Sequence, residues 1–162
     1  MKTKTPVPDA LIGWAKHYGF DCNDIDSRSD NAMTPLMLAA MQGKLDTVQV
    51  LLTTGANCNF INADENNALW FACVSNSTAI LDELLRYGCN IDNQNVNGAT
   101  CLVYACSAGK FDIVKQLVQA GADIDRQTLD GFNALESAST LAVLKYLKSI
   151  HTNRHTKQHS NA

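Results

Sequence analysis

An internal repeat of 33 residues constrains this chain more than any other feature of its sequence. Three columns of identical residues carry it: Leu36, Leu69, Leu102 and Leu135; Ala39, Ala72, Ala105 and Ala138; Gly55, Gly88 and Gly121. A fixed period of this length is typical of solenoids, in which each structural unit packs against its neighbours and the terminal units act as caps. The chain is therefore interpreted as a stack of similar units.

Each unit has the apolar spacing of two short helices. In the first complete unit, Leu36, Ala39 and Ala40 lie at i, i+3 and i+4, and residues 45–52 repeat that stripe after Gly43. A glycine follows each second helix, at the position where a left-handed backbone ends a helix. The next dozen residues are rich in Asn, Asp and Gly, which predicts a hairpin-like loop between successive helix pairs.

Two segments of the first unit resemble a known family. Residues 34–43 read Thr-Pro-Leu-Met-Leu-Ala-Ala-Met-Gln-Gly and residues 50–57 read Val-Leu-Leu-Thr-Thr-Gly-Ala-Asn. They are similar to the ankyrin repeat, whose hallmarks are Thr-Pro-Leu-His-x-Ala-Ala-x-x-Gly and a later Leu-Leu-x-x-Gly-Ala-Asp-x-Asn. The resemblance spans about residues 20–150. It implies an all-α ankyrin-repeat solenoid of helix-turn-helix units with projecting hairpin-like loops, about four units including caps.

The sequence departs from this pattern at two places in the unit. Met37, Trp70 and Val103 occupy the usual His column, so the loop-bracing hydrogen bond of that His is expected to be absent. Asn67-Ala68 and Thr100-Cys101 replace Thr-Pro in the second and third units.

The terminal segments are expected to cap the stack. Residues 8–19 carry Leu11, Trp14, Ala15 and Tyr18 on one face, which predicts a single amphipathic helix. Residues 134–138 begin a fourth unit that lacks the glycine between its helices, and the polar residues after 150 are interpreted as a frayed helix end or a disordered tail. The predicted divisions are 1–28 (capping helix and loop), 29–61, 62–94 and 95–127 (complete units), 128–150 (shortened cap) and 151–162 (polar tail).

The resemblance implies that the chain binds another protein through loop tips and first helices, which form one concave face. The predicted partner-binding residues are Met33, Met41, Ile61, Asp64, Asn66, Trp70, Val74, Gln94, Val96, Asn97, Ala99, Val103, Gln127, Leu129, Asp130 and Phe132. The apolar members, with Met33, Leu129 and Phe132 among them, are of the types that anchor protein interfaces. The alternative is that Leu129 and Phe132 lie under the C-terminal cap and that Trp70 is packing.

Acidic residues recur at the predicted loop tips: Asp26, Asp30, Asp64, Glu65, Asp92, Asp125 and Asp130. A partner with a basic surface would complement them. Part of this set is expected to be structural, because Asp and Asn side chains brace turns by binding nearby backbone groups.

The six cysteines are interpreted as inert thiols rather than as a metal or redox site. Five of them occupy small or apolar columns of the repeat, and only Cys22, in a loop, is expected to be exposed. No Cys-x-x-Cys is present, and the roughly 10 Å between stacked helices is too long for Cys73 to bridge Cys106. No metal and no cofactor is predicted.

Other function classes find little support in the sequence. It contains no phosphate-binding loop, no nucleophile elbow and no zinc-protease motif, so no catalytic activity is expected. No apolar stretch is long enough to cross a bilayer, and the N-terminus lacks the apolar core of a secretory signal, so a cytoplasmic and monomeric protein is expected.

The C-terminal tail supplies the alternative function. His151, His155 and His159 are spaced by four residues, and residues 145–162 hold four basic residues and no acid. A helical tail would place the three imidazoles on one face, which would suit a metal-responsive or nucleic-acid-responsive regulator.

Overall fold

The chain folds into a stack of helix pairs. The computed structural model describes the backbone of residues 4–159 and the side chains of residues 4–152. Within that range it forms eight α-helices: α1 Ile12–His17, α2 Pro35–Met41, α3 Leu45–Thr54, α4 Ala68–Val74, α5 Thr78–Arg86, α6 Cys101–Ser107, α7 Phe111–Gln119 and α8 Leu141–His159. Two short 3-10 turns, Asp9–Leu11 and Asp30–Ala32, precede α1 and α2, and the described backbone contains no strand. The predicted all-α solenoid of helix-turn-helix units is confirmed.

Polar N-caps start the first helix of every complete unit. The Thr34 hydroxyl accepts a hydrogen bond from the Met37 N–H at 3.3 Å, and Thr100 does the same for Val103 at 3.2 Å. In the second unit Asn67 is the cap, since its Oδ1 accepts from the N–H groups of Leu69 and Trp70. Asn and Thr are both good N-caps, so the replacement of Thr-Pro leaves the helix start intact.

Asn67 also ties its helix to the loop that follows the unit. Its Nδ2 donates a hydrogen bond to the Asn90 carbonyl at 2.9 Å. Met37 and Val103, in the His column, are buried and have apolar side chains. In the second unit, Asn67 therefore braces the helix against the loop, in place of the His that the family pattern has where this unit has Trp70.

The helices form two layers, and the apolar core lies between them. Helices α2, α4 and α6 stack in one layer, which we call the inner layer, and α3, α5 and α7 stack in the other, the outer layer. Leu36, Leu69 and Leu102, the first column of the repeat, are fully buried. Burying such leucines removes apolar surface from water and contributes about 1.5–3 kcal/mol each. The chain reverses at Gly55, whose φ of 103° caps α3 as predicted.

The loops between units are tight turns joined to one another. Each tip is closed by two backbone hydrogen bonds, for example from the Asn62 N–H to the Asn66 carbonyl and from the Glu65 N–H to the Asn62 carbonyl, both at 3.0 Å. Neighbouring tips are linked by backbone hydrogen bonds from Val96 N–H to the Asp64 carbonyl and from Leu129 N–H to the Asn97 carbonyl, both at 3.0 Å. A single backbone bond at each of these junctions orders the tips in a row without building a sheet.

The N-terminal cap is shorter than the predicted helix over residues 8–19. A 3-10 turn precedes α1, which has only six residues. Leu11 and Ala15 are buried as expected, but Tyr18 is 38% exposed. Tyr18 lies past the end of α1, where the chain turns back through Gly19, and the next residue, Phe20, takes the buried place.

The C-terminal cap also departs from the expected helix pair. Residues 134–137, predicted to begin a first helix, form a turn. Asn133 and Glu136 close it reciprocally, because each side chain accepts a hydrogen bond from the other residue's backbone N–H. The chain then enters α8, whose Val143 and Leu147 are buried. This helix continues to His159, so the part of the predicted tail whose backbone is described is helical.

Two loop tips hold a non-glycine residue in an unfavourable backbone conformation at equivalent positions, Ala32 with φ 54° in the first unit and Glu65 in the second. Glu65 has φ 63°, whereas the equivalent positions in the next two units are Gly98 and Gly131, with φ 71° and 84°. Glu65→Gly should raise the free energy of unfolding by about 0.5–1 kcal/mol, because only glycine adopts this region without a steric penalty. Urea unfolding followed by circular dichroism measures the change.

Gly98→Ala is the matched control for this substitution. A Cβ at Gly98 would lie 2.9 Å from the backbone nitrogen of Leu129, so this variant should be destabilised. A Glu65→Gly protein less stable than the unmodified chain would contradict the strain argument.

Candidate functional site

Loop tips and inner helices occupy one side of the stack. Each tip leads directly into the N-cap of an inner-layer helix, as residues 62–66 lead into Asn67 and α4. The inner helices contact one another along the stack, and Trp70 of α4 lies against Tyr104 of α6 with ring centroids 4.8 Å apart. Outer-layer helices lie behind them. The tips and the inner layer are thus continuous along the molecule.

Apolar side chains are exposed on the tips of the later units. Val96 is 46% exposed, Phe132 is 54% exposed and Leu129 is 78% exposed. We call these three residues the tip cluster. Val96 and Leu129 occupy equivalent positions in adjacent units, whose tips are hydrogen-bonded together. Their exposure answers one question left open by the sequence, because Leu129 and Phe132 do not lie under the C-terminal cap.

Other predicted surface residues have partial or full access to solvent. Met41, Ile61 and Val74 are exposed large apolar residues. Asn97, Gln127 and Asp130 are exposed polar residues, and Ala99 is half-buried. Met33 and Trp70 are half-buried, and Met33 Sδ accepts a hydrogen bond from Asn62 Nδ2 at 3.8 Å. Trp70 packs on Tyr104 and keeps part of its side chain in solvent, so packing does not remove it from the surface.

Two predicted contact residues are buried and leave the surface. Asn66 and Val103 are each 7% exposed. Asn66 directly precedes the N-cap of α4 at the base of its tip, and Val103 lies in the first turn of α6, where its N–H donates to the Thr100 hydroxyl. The sequence pattern left both positions free for contact, but their side chains are buried in the structure.

Two further predicted residues are engaged in holding the loops. Gln94 Nε2 donates hydrogen bonds to the carbonyls of Gly98 at 2.7 Å and Gln127 at 2.9 Å, so it bridges two units. Asp64 Oδ2 accepts from Asn31 Nδ2 at 2.9 Å and from Asn62 Nδ2 at 3.1 Å. We therefore treat Gln94 as a structural brace. Asp64 has a structural role as well, but its side chain remains exposed.

A row of side-chain acceptors runs along the stack beneath the tips. Asp26 Oδ1 accepts a hydrogen bond from the Asn57 N–H at 2.9 Å. The same bond recurs from Asn90 N–H to Asn59 Oδ1 at 2.7 Å and from Asp123 N–H to Asp92 Oδ1 at 2.9 Å. We call this row the acceptor ladder. It joins each unit to the next, so Asp26 and Asp92, counted among the acids of the predicted tips, are structural here and share a repeat position with Asn59.

The ladder changes which acids are available to a partner. Asp26 is half-buried, and its burial raises the pKa of its carboxyl. The exposed acids of the tips are Asp30, Asp64, Glu65, Asp125 and Asp130. The sequence alone did not reveal that the side chains of the ladder accept hydrogen bonds from the next unit. The available signal was that Asp and Asn share one repeat position, since both residues supply the same acceptor oxygen while only Asp carries charge.

The described part of the chain contains neither a metal-binding cluster nor a membrane-spanning helix. Among those residues, no group of three His, Cys, Asp or Glu side chains is placed to hold a metal ion. The predicted histidine face includes His155 and His159, whose side chains lie outside the described residues. No helix in the described range combines the length and apolar character needed to cross a bilayer.

The comparison with protein families decides the classification. The family model "Ankyrin repeats (3 copies)" matches residues 9–95 and again residues 75–156. The chain belongs to the ankyrin repeat family. Ankyrin repeats are, in general, protein–protein interaction modules. The helix pairs described above have the ankyrin-repeat fold.

A curated relative shares part of the chain. It is the ankyrin and armadillo repeat-containing protein of Mus musculus, which is 34% identical over 58 residues. The matched segment covers 36% of this chain and 4% of that protein, so the similarity concerns repeat units and not the whole relative.

The burial of Asp26 makes the stability of this ankyrin protein depend on pH, because burial raises the pKa of the carboxyl more than the ladder hydrogen bond from Asn57 lowers it. A raised pKa means that the folded state holds the proton more tightly, so the stabilisation is present below the unfolded pKa and is lost as pH rises through the folded value. Asp26→Asn keeps the acceptor oxygen, as Asn59 does, and removes the charge. The variant should be more stable than the unmodified chain at pH 7, with the difference vanishing near pH 3, as measured by urea unfolding.

Asp24→Asn should behave in the opposite way. The hydrogen bond from Lys4, at 2.9 Å, lowers the pKa of Asp24, so this carboxylate contributes stability above its unfolded pKa and loses it on acidification. Asp24→Asn is expected to be less stable than the unmodified chain at pH 7. Equal pH profiles for the two variants would contradict the assignment.

Proposed function

We propose that this chain is a non-catalytic module that binds a partner protein through its loop tips and inner helices. The observation that supports the proposal most strongly is the tip cluster of Val96, Leu129 and Phe132. Contiguous apolar side chains exposed on a folded surface usually mark a contact site, and aromatic residues are enriched among interface anchors. The tip cluster concentrates the proposed contact on the later units of the stack.

The tips are held in place before any partner arrives. Gln94 bridges the tips of adjacent units, and Arg28 does so in the first, with its Nη1 donating to the Ala32 carbonyl at 3.2 Å and to the Ile61 carbonyl at 2.6 Å. A braced loop loses little conformational freedom on binding, which leaves more of the contact energy as affinity. Rigidity of the tips is therefore the mechanical basis of the proposed recognition.

Charge around the tips favours a partner with a basic surface. Asp30, Glu65 and Asp130 are exposed at or beside the tips. Opposite charge on the partner would speed association and fix the orientation of the complex. The apolar contact would then supply the affinity and the acids the selection of partner.

The remaining features of the proposal come from the sequence. A cytoplasmic location and a monomeric state stay predictions. Nucleic-acid binding and metal sensing by the C-terminal tail are supported by no side chain within the described residues, so we do not propose them.

The tip cluster can be tested once a partner is captured from native lysate and purified. Leu129→Ala and Phe132→Ala should each raise the Kd about tenfold or more, because each removes an exposed apolar anchor. Isothermal titration calorimetry gives the Kd, and circular dichroism verifies that each variant is folded.

Tyr87→Ala is the matched control. Tyr87 is 45% exposed and caps the outer-layer helix α5, away from the tips, so its loss should leave the Kd unchanged. Loss of binding in the Tyr87 variant, with normal binding by both tip variants, would place the interface on the outer layer and refute the proposal.

A further inference from the structure

Two cysteines face each other at one junction of the stack. Cys58 and Cys89 occupy positions that hold Ile25 and Ala56 at the preceding junction and Ile91 and Ala122 at the following one. The acceptor ladder runs past all three junctions with the same hydrogen bond, so the three pairs are structurally equivalent. Only the middle junction places two thiols where the others place an isoleucine and an alanine.

Several short contacts hold the two cysteines together. Cys89 Sγ donates a hydrogen bond to the Cys58 carbonyl at 3.1 Å, and Cys58 Sγ donates to the Tyr87 carbonyl at 3.8 Å. Asn59 fastens the same two segments, since its Nδ2 donates to the Gly88 carbonyl at 3.2 Å. Each thiol therefore lies against the backbone beside the other cysteine.

The two thiols also influence each other's ionisation. The proximity of the two thiols lowers the pKa of Cys58 and raises that of Cys89. Such an asymmetry separates a thiol that ionises more readily from one that stays protonated.

We propose that Cys58 and Cys89 form an oxidation site, at which a hydroperoxide converts the two thiols into a disulfide that joins the unit 29–61 to the unit 62–94. The Cys58 thiolate attacks one peroxide oxygen, the O–O bond breaks, and with hydrogen peroxide a proton converts the departing hydroxide to water. Cys58 is then a sulfenic acid. The Cys89 sulfur attacks it, the S–S bond forms, and the hydroxyl leaves as water with the proton of the Cys89 thiol. Overall, two thiols and one hydrogen peroxide give one disulfide and two water molecules.

The location of this pair distinguishes it from the other cysteines. Cys58 and Cys89 are each 5% exposed and lie in the loops that leave α3 and α5, beside the exposed Tyr87 and Gly88. Cys73 and Cys101 also contact each other, but they belong to the inner helices and are 0% and 1% exposed. Burial raises the pKa of Cys106 to about 12, which keeps it protonated. Oxidation is therefore expected at the loop pair, which needs the smaller opening motion to meet a peroxide.

Mass spectrometry of the full-length protein tests the proposal. After exposure to hydrogen peroxide and blocking of the remaining thiols, the unmodified chain should contain one disulfide that dithiothreitol removes. Cleavage after aspartate and glutamate separates the relevant cysteines. Asp24 lies between Cys22 and Cys58, Glu65 between Cys58 and Cys73, Asp82 between Cys73 and Cys89, and Asp92 between Cys89 and Cys101. The disulfide should join the fragment that contains Cys58 to the fragment that contains Cys89. Closing this loop should also raise the Tm by roughly 5–10 °C.

Two alanine variants complete the test. Cys89→Ala places alanine where Ala56 and Ala122 stand in the other units, so it should fold normally and form no disulfide. Cys101→Ala, the matched control, places alanine where Ala68 and Ala134 stand, and it should form the disulfide as the unmodified chain does. The proposal is overturned if peroxide produces no disulfide in the unmodified chain, or if the bond joins Cys73 to Cys101. A disulfide that persists in Cys89→Ala would overturn it as well. The fragment map of the unmodified chain decides the question even where a variant fails to fold.

Discussion

Each unit of this protein hides its apolar face only by packing on the next unit, and every other property of the structure depends on that contact. Leu36, Leu69 and Leu102 are fully buried in the same place in successive units. A single pair of seven- to ten-residue helices cannot bury enough surface to be stable alone, so the units stabilise one another along the stack. The same requirement explains why both ends differ from the middle. The short α1 and the long α8 cover the first and last faces with one helix each.

Stacking also determines how polar groups are used. Between the units, backbone N–H groups of one loop face the preceding loop, and the acceptor ladder of Asp26, Asn59 and Asp92 gives them hydrogen-bond partners. Since Asp and Asn serve equally as acceptors, charge can vary along the ladder while the geometry stays constant. The braces at Gln94 and Arg28 extend this order to the tips. The proposed binding surface therefore consists of the side chains that stacking leaves exposed, chiefly the tip cluster and the exposed parts of the inner helices.

Much of the fold could be read from the sequence, and the reasons are local. The 33-residue period, the helical spacing of the apolar residues and the glycines after the second helices are each repeated, so a pattern present in one unit is supported by the others. Prediction failed where the repeat is lost. The single helix expected over residues 8–19 and the first helix expected at residues 134–138 both lie in the caps, where no second copy supports the assignment and a turn competes with a short helix. The candidate surface was only partly predictable, because a variable column can hold a brace such as Gln94 or a buried side chain such as Val103.

The sequence by itself determined the unit length, the two-helix unit, the solenoid architecture and the family, because these follow from residues that repeat along the chain. Only the tertiary structure decided which side chains of one column meet those of another. Cys58 and Cys89 are 31 residues apart in the sequence, and this separation does not by itself predict a contact. They meet because the loop of one unit lies against the loop of the next. The exposure of Phe132 and the burial of Asn66, which share a column, were decided in the same way. A repeat specifies the contact positions of every unit, whereas the neighbours of each side chain depend on how consecutive units pack.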